Sequence, residues 1–217
     1  MPDISKPYVF TEAFGNRLKD KFSKLGVSHT NWQDDDISDI RSSIREYYRV
    51  EQKANCAYCR QNVSLTSASN CQVEHIVPKA KYIDFIAEPK NLCVICADCN
   101  EIKRSQEVLN ELPDVTTNTT IRRYPRTSNA FKIVHPHFDN YNEHLLVING
   151  FYFDKSLKGG YTIVFCKLNR KLHKLGYENL EFSDIELMQI MTAYLSETDS
   201  LRKIYILRRL REMLILI

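Results

Sequence analysis

Two Cys-x-x-Cys pairs, Cys56/Cys59 and Cys96/Cys99, stand on either side of a single histidine, His75. A Cys-x-x-Cys knuckle aims two thiolates at one point in space, and two knuckles supply the four soft ligands of a closed tetrahedral Zn²⁺ site. No other feature restricts the fold as strongly, because two distant stretches of chain must meet at one ion. The residues between them, Glu74-His75-Ile76-Val77-Pro78 and Asn91-Leu92, then lie on a segment pinned at both ends, and Asn100 and Lys103 follow the last cysteine directly.

The chain has seven cysteines. Its first residues, Met1 to Lys6, lack the basic start and apolar run of a signal peptide, so the expectation is a reducing, cytoplasmic setting. Cys71, Cys93 and Cys166 are then free thiols that behave as small buried hydrophobes. A hydrophobic content of 43%, a charged content of 26% and only 6 Gly and 7 Pro in 217 residues describe an ordinary folded protein and exclude disordered and fibrous classes. No apolar run is long enough to span a membrane. A net charge of +3 permits nucleic-acid binding without demanding it, so a basic surface has to be found locally.

Residues 1–33 show little periodicity, and Gly15 and Gly26 argue against a long helix there. From Asp36 onward Ile37, Ile40, Ile44, Tyr47 and Tyr48 recur at helical spacing, which predicts a helix over about 37–52 with Asp34-Asp35-Asp36 capping its N-terminus. Val73–Val77 reads as a strand ended by Pro78. A helix is predicted from Cys96 to about Leu109, because Asn100, Lys103 and Glu107 share one helical face. Pro113 and Val115–Thr120 mark a loop. Arg122, Arg123, Arg126 and Lys132 interleave with Tyr124 and Phe131, a pattern that suits either a phosphate-and-base grip or a solvated basic face. Leu145–Asn149, Gly150 and Phe151–Asp154 predict a β-hairpin turning at Asn-Gly, and Tyr161–Cys166 reads as a third strand. Ser183-Asp184-Ile185-Glu186 is a capping box for a helix to about Ser196. A last helix, from Ser200 to Ile217, alternates basic residues with Leu and Ile, and its apolar stripe is read as core-facing rather than as a membrane or partner face. His135, His137, Asp139 and His144 form a donor-rich cluster whose spacing matches no metal-ligand pattern. A second metal site, a role in orienting substrate or helix, and plain structure all stay open for it.

The order of four cysteines, Glu74-His75, Pro78, Asn91-Leu92, Asn100 and Lys103 resembles the zinc-containing HNH (ββα-metal) endonucleases over residues 56–103. Glu74 stands where that family more often has Asp, and Asn100 where it often has His. The resemblance implies that Cys56, Cys59, Cys96 and Cys99 hold structural Zn²⁺ and that His75 is the general base for hydrolysis. It also implies that Glu74 and Asn100 are ligands of a catalytic Mg²⁺ or Mn²⁺, that Asn91 braces the loop carrying the histidine, and that Lys103 reaches a phosphate. Adjacent residues of a strand point to opposite faces, so how Glu74 and His75 reach one phosphate does not follow from the sequence. More loosely, His135-Pro136-His137-Phe138-Asp139, His144-Leu145, Gly150, Gly160-Tyr161-Thr162-Ile163 and Leu168-Asn169-Arg170 resemble the tail of defence-associated Septu-type HNH proteins, which implies a partner ATPase of the structural-maintenance-of-chromosomes kind.

The expected architecture is α+β: an N-terminal helical segment (1–52), a zinc-braced ββα-metal (HNH) module (53–112), and a C-terminal β-hairpin plus helices (113–217). The expected function is a metal-dependent endonuclease that hydrolyses DNA, in bacterial defence against phage. The alternatives are a zinc-braced nucleic-acid or protein binding module without catalysis, and an RNA-cleaving HNH nuclease.

Overall fold

Thr11 opens the first helix. Its hydroxyl accepts a hydrogen bond from the Phe14 amide at 3.2 Å, which satisfies one of the free amides of α1 (Glu12–Phe22) in a computed structural model that describes residues 1–110, 123–148, 150–175 and 185–215. The helix runs straight through Gly15, against the expectation for this segment. A glycine there costs about 1 kcal/mol relative to alanine, which the cap and the burial of Leu18 offset.

Helix α2 (Ser38–Glu51) matches the predicted span, and Ile40, Ile44 and Tyr48 recur every fourth residue on its buried face. The expected cap does not form. A short 3₁₀ turn, Asp35–Ile37, leads directly into α2, so Ile37 takes the cap position without a side-chain bond. The carboxylates bind α1 instead: Lys21 pairs with Asp34 and Asp36, each at 2.7 Å, and Arg17 holds Asp39 at 2.6 Å. Asp34 and Asp36 therefore tie the segment before α2 to α1 rather than capping α2.

Strands β1 (Gln72–His75) and β2 (Leu92–Ile95) pair antiparallel, with Glu74 opposite Cys93 and His75 opposite Leu92. α2 packs on both strands and α3 (Ala97–Lys103) packs on β1. β2 is buried along its whole length, as expected of a strand covered on both faces. α3 is shorter than its sequence pattern predicts. Arg104 takes a positive φ of +46°, and the following residues are drawn into an extended bridge, Leu109 to Phe131, with Lys132 N–H donating to Val108 O at 2.7 Å.

Downstream lie α4 (Tyr141–His144), the two-stranded sheet of β3 (Leu145–Ile148) and β4 (Phe151–Asp154), and α5 (Leu157–Phe165). The predicted hairpin is present with Gly150 at φ +82°; Asn149 lies outside the described residues. The predicted strand at 161–166 is helical instead. Ser156 caps α5 by accepting from Gly159 N–H at 3.1 Å, and Gly159, Thr162 and Cys166 form its buried stripe. α6 (Arg170–Leu175), α7 (Ile185–Ser196) and α8 (Ser200–Ile215) complete the chain. The capping box at Ser183-Asp184 and the loop at Pro113–Thr120 fall outside the described residues.

Met1–Leu146 with Tyr152–Leu168 form one compact unit, which holds the main hydrophobic core; Val147–Phe151 with Asn169–Ile217 form a second. In the second unit α7 packs on α8, with Met191 and Leu210 buried. No helix among the described residues is long and apolar enough to cross a membrane.

Candidate functional site

The four knuckle cysteines converge. Their Sγ atoms all lie within 4.8 Å of one another and all four are buried. Cys59 Sγ and Cys96 Sγ are 3.6 Å apart, close to the roughly 3.8 Å edge of a tetrahedron with Zn–S bonds of about 2.3 Å. Hydrogen bonds from the other thiols lower Cys96, whereas burial and the same mutual bonds raise Cys56 and Cys99: four thiols this close cannot all ionise without a cation among them. The donor set and its size fit Zn²⁺. Among the described residues no other group of three or more His, Cys, Asp or Glu side chains comes together in this way.

The first knuckle is held from several sides. Arg60 takes a positive φ and donates its N–H back to Cys56 O at 3.1 Å. Gln52, at the end of α2, donates to Val94 O and accepts from Val94 N–H at 2.8 and 2.7 Å, joining the helix to β2. Tyr141 donates to Tyr58 O at 2.8 Å and Tyr152 to Cys59 O. Residues far along the chain therefore fix the zinc loop.

His75 closes β1 and is only 3% exposed. Its Nε2 lies 3.0 Å from Ile86 O. A carbonyl only accepts, so the proton sits on Nε2 and Nδ1 carries the lone pair. Nδ1 is buried and has no hydrogen-bond partner. Burial, with Lys79 and Lys103 nearby, pushes the imidazole well below its usual pKa, so the ring is neutral. Trp32 meets it edge-on, with ring centroids 4.7 Å apart, and fixes its plane. Asn91 is fully buried and clamps the segment after the histidine. It accepts from Val77 N–H at 2.7 Å and donates to Val77 O at 3.1 Å and Phe85 O at 3.0 Å.

Despite the strand pleat, Glu74 and His75 line one cleft of ≈ 250 Å³ together with Asn100, Lys79, His29 and Arg104. Asn100 donates its amide N–H to Gln72 Oε1. That orientation follows because the Gln72 amide nitrogen is already donating to Ser69 O at 2.9 Å. Asn100 Oδ1 is therefore the atom left to act as an oxygen ligand.

Lys103 is fully buried, with its ammonium 2.6 Å from Glu74 Oε1 and donating to His75 O at 3.2 Å. The contact with Glu74 is a charge pair outside hydrogen-bond angles, since Oε1 has no hydrogen-bond partner. A lysine with no exposed surface offers nothing to a phosphate directly; here it neutralises the buried carboxylate beside the histidine. Lys79, by contrast, lines the cleft half-buried. His29, placed by the turn His29–Gln33, is a cleft residue that sequence reasoning missed, because nothing in its local pattern ties it to the knuckles.

The His135 cluster does not converge on a metal. His135 Nδ1 accepts from His137 N–H at 3.2 Å, so its Nε2 donates to Tyr124 Oη at 2.8 Å. His137 Nε2 donates to Leu92 O at 2.8 Å, at the start of β2. Asp139 pairs with Lys158 at 2.9 Å and accepts from His135 N–H at 2.7 Å. His144 Nδ1 meets Ser156 Oγ at 2.7 Å. These are bracing contacts. The basic-aromatic stretch is not a base-stacking surface either: Tyr124 and Phe131 are buried in the core, Arg126 holds Glu88 through two bonds, and Arg122 lies outside the described residues.

Compared with known proteins, residues 56–106 match the family model for HNH endonuclease. No curated protein and no solved structure matches the chain.

Proposed function

Starting from an HNH endonuclease module at residues 56–106, we propose that this protein is a metal-dependent endonuclease that hydrolyses DNA. The observation that carries this reading is one cleft lined by Glu74, Asn100 and a neutral, rigidly held His75.

Hydrolysis of a phosphodiester requires a base for the attacking water and positive charge at the developing pentacovalent phosphate. His75 Nδ1 takes the water's proton, and Ile86 O, accepting from Nε2, stabilises the imidazolium that results. Trp32 and Asn91 keep the ring and its backbone from turning away, so no reorganisation accompanies the proton transfer. Glu74 and Asn100 Oδ1 are hard oxygen donors that fit Mg²⁺ or Mn²⁺, ions that commonly bind to one or two protein carboxylates and complete their shells with water and substrate phosphate. Such an ion, when bound, neutralises charge on the phosphate and the leaving 3′-oxygen. Lys103, 2.6 Å from Glu74 Oε1, supplies the counter-charge of that carboxylate. Lys79 adds positive charge at the cleft.

The zinc site in this reading is structural and the catalytic ion is separate. Mild chelation therefore stops cleavage without unfolding, and Mg²⁺ or Mn²⁺ restores it, because one carboxylate and one amide bind far more weakly than four thiolates. Cleavage that continues with zinc alone bound overturns the roles of Glu74 and Asn100. Supercoiled DNA and structured RNA, each incubated with Mg²⁺, separate the DNA nuclease from an RNA nuclease, and binding without cutting of either marks a module without chemistry. The resemblance of residues 133–170 supports a role in defence against foreign DNA alongside a partner ATPase of the structural-maintenance-of-chromosomes kind.

A further inference from the structure

Beside the catalytic cleft lies a second one of ≈ 330 Å³, lined by Gln33, Arg41, Arg45, Ser69, Gln72 and Asn100. Asn100 lines both clefts. The geometry points to this second cleft as the binding site for a phosphate of the substrate strand that flanks the scissile one, held by Arg45 and Arg41 of α2. The inference rests on the nuclease reading and extends it to residues outside the matched module.

Arg41 and Arg45 are four residues apart and share a face of α2, about 6 Å apart along its axis. Elsewhere in the same unit Arg17, Arg49, Arg60 and Arg126 each hold a carboxylate. Neither Arg41 nor Arg45 has one within ion-pair reach among the described residues. Arg41 is oriented by two backbone carbonyls, Trp32 O and Asp34 O, each at 2.6 Å from Nη1. Arg45 has one weak contact, Nη1 to Ser42 Oγ at 3.4 Å. Its Nε is buried and has no partner.

A guanidinium partly withdrawn from water without a paired anion is costly: burial lowers the half-buried Arg45, Cys71 and Glu46 oppose that shift, and Arg49 and Arg41 add repulsion. The ligand that relieves this is an anion offering two oxygens to a planar fork, and a phosphodiester does so. Position identifies which phosphate: a strand whose scissile group lies at His75, Glu74 and Asn100 continues past Asn100 into the cleft where Arg45 waits.

The consequence is a division by substrate size. DNA presents a flanking phosphate; bis(p-nitrophenyl) phosphate presents only the scissile one. With the full chain, Arg45→Gln should raise the KM for a DNA duplex about tenfold, the scale of one lost charged hydrogen bond, with kcat nearly unchanged. Cleavage of bis(p-nitrophenyl) phosphate should not change. The salt dependence of DNA binding, measured in chelator, should flatten by about 0.9 in slope, as for one phosphate contact. Arg45→Lys should keep that slope and recover part of the affinity. Lys19→Gln removes the same charge from an exposed site on α1 and should change neither substrate.

Several results overturn the inference: equal loss on both substrates, no loss on either, or a Lys19→Gln effect as large as that of Arg45→Gln. If the wild type cuts DNA and one of these is found, the subsite falls and the nuclease reading stands. If the wild type neither binds nor cuts DNA, the nuclease reading fails and takes the subsite with it.

Discussion

His75 and Lys103 touch through one hydrogen bond, yet their replacements should fail in different ways. In the proposed mechanism His75→Ala removes a base that acts only in the transition state. Cleavage should fall by on the order of 10²–10⁴ while DNA affinity and zinc content stay near wild type; an unchanged single-turnover rate sinks the mechanism. Lys103→Ala strips the counter-charge from Glu74, which is 6% exposed. A buried carboxylate left unpaired costs about 3–5 kcal/mol, so this variant should show a lowered urea midpoint. A Lys103→Ala protein as stable as wild type but weaker on DNA restores the phosphate contact that the sequence pattern implied.

At the scale of elements, the chain depends on two junctions. Cys96 stands at the N-cap of α3 and is one of the four converged cysteines that fit Zn²⁺, so Cys96→Ser should lose metal and thermal stability together; a folded, zinc-free wild-type protein contradicts the assignment. The second junction is α4 against α5. A Cβ on Gly159 would sit 1.9 Å from His144 O, a backbone atom that cannot step aside. Gly159→Ala should therefore destabilise by about 3 kcal/mol or more, by the cost of overpacking, whereas Gly15→Ala, where nothing lies within 4 Å, should be neutral or stabilising by up to about 1 kcal/mol. Chemical denaturation of the two variants side by side checks the contrast.

For the whole molecule, buried neutral histidines contribute to the loss of stability in acid. Burial lowers His137 to about 4 and pushes His135 well below its usual range. Below pH 6.5 the unfolded chain binds protons that the folded chain refuses, so stability is full above about pH 6.5 and declines as pH falls towards 4. For His137 alone the loss is on the order of 3 kcal/mol. His137→Gln should be less stable at neutral pH, through the lost bond to Leu92 O, but should lose less on going from pH 7 to 4.5; a parallel pH dependence in the two proteins disproves the assignment.

The amino-acid sequence by itself determined the knuckles, the strand that carries His75, the helix 38–51 and the hairpin around Gly150, because each depends on ligand spacing or on a repeat within a few residues. It also named the cleft residues Glu74, His75 and Asn100. It misread segments where distant partners outweigh local preference: α3 stops early because Leu109 is claimed by Phe131, and 161–166 is helical because Ser156 caps it and Gly159 lets it approach His144. Only the tertiary structure decided that Lys103 faces Glu74, that Tyr124 and Phe131 are core, and that His29, Arg41 and Arg45 stand at the clefts. Burial and charge pairing are properties of neighbours in space, and no local pattern records which side chain will be left without a partner.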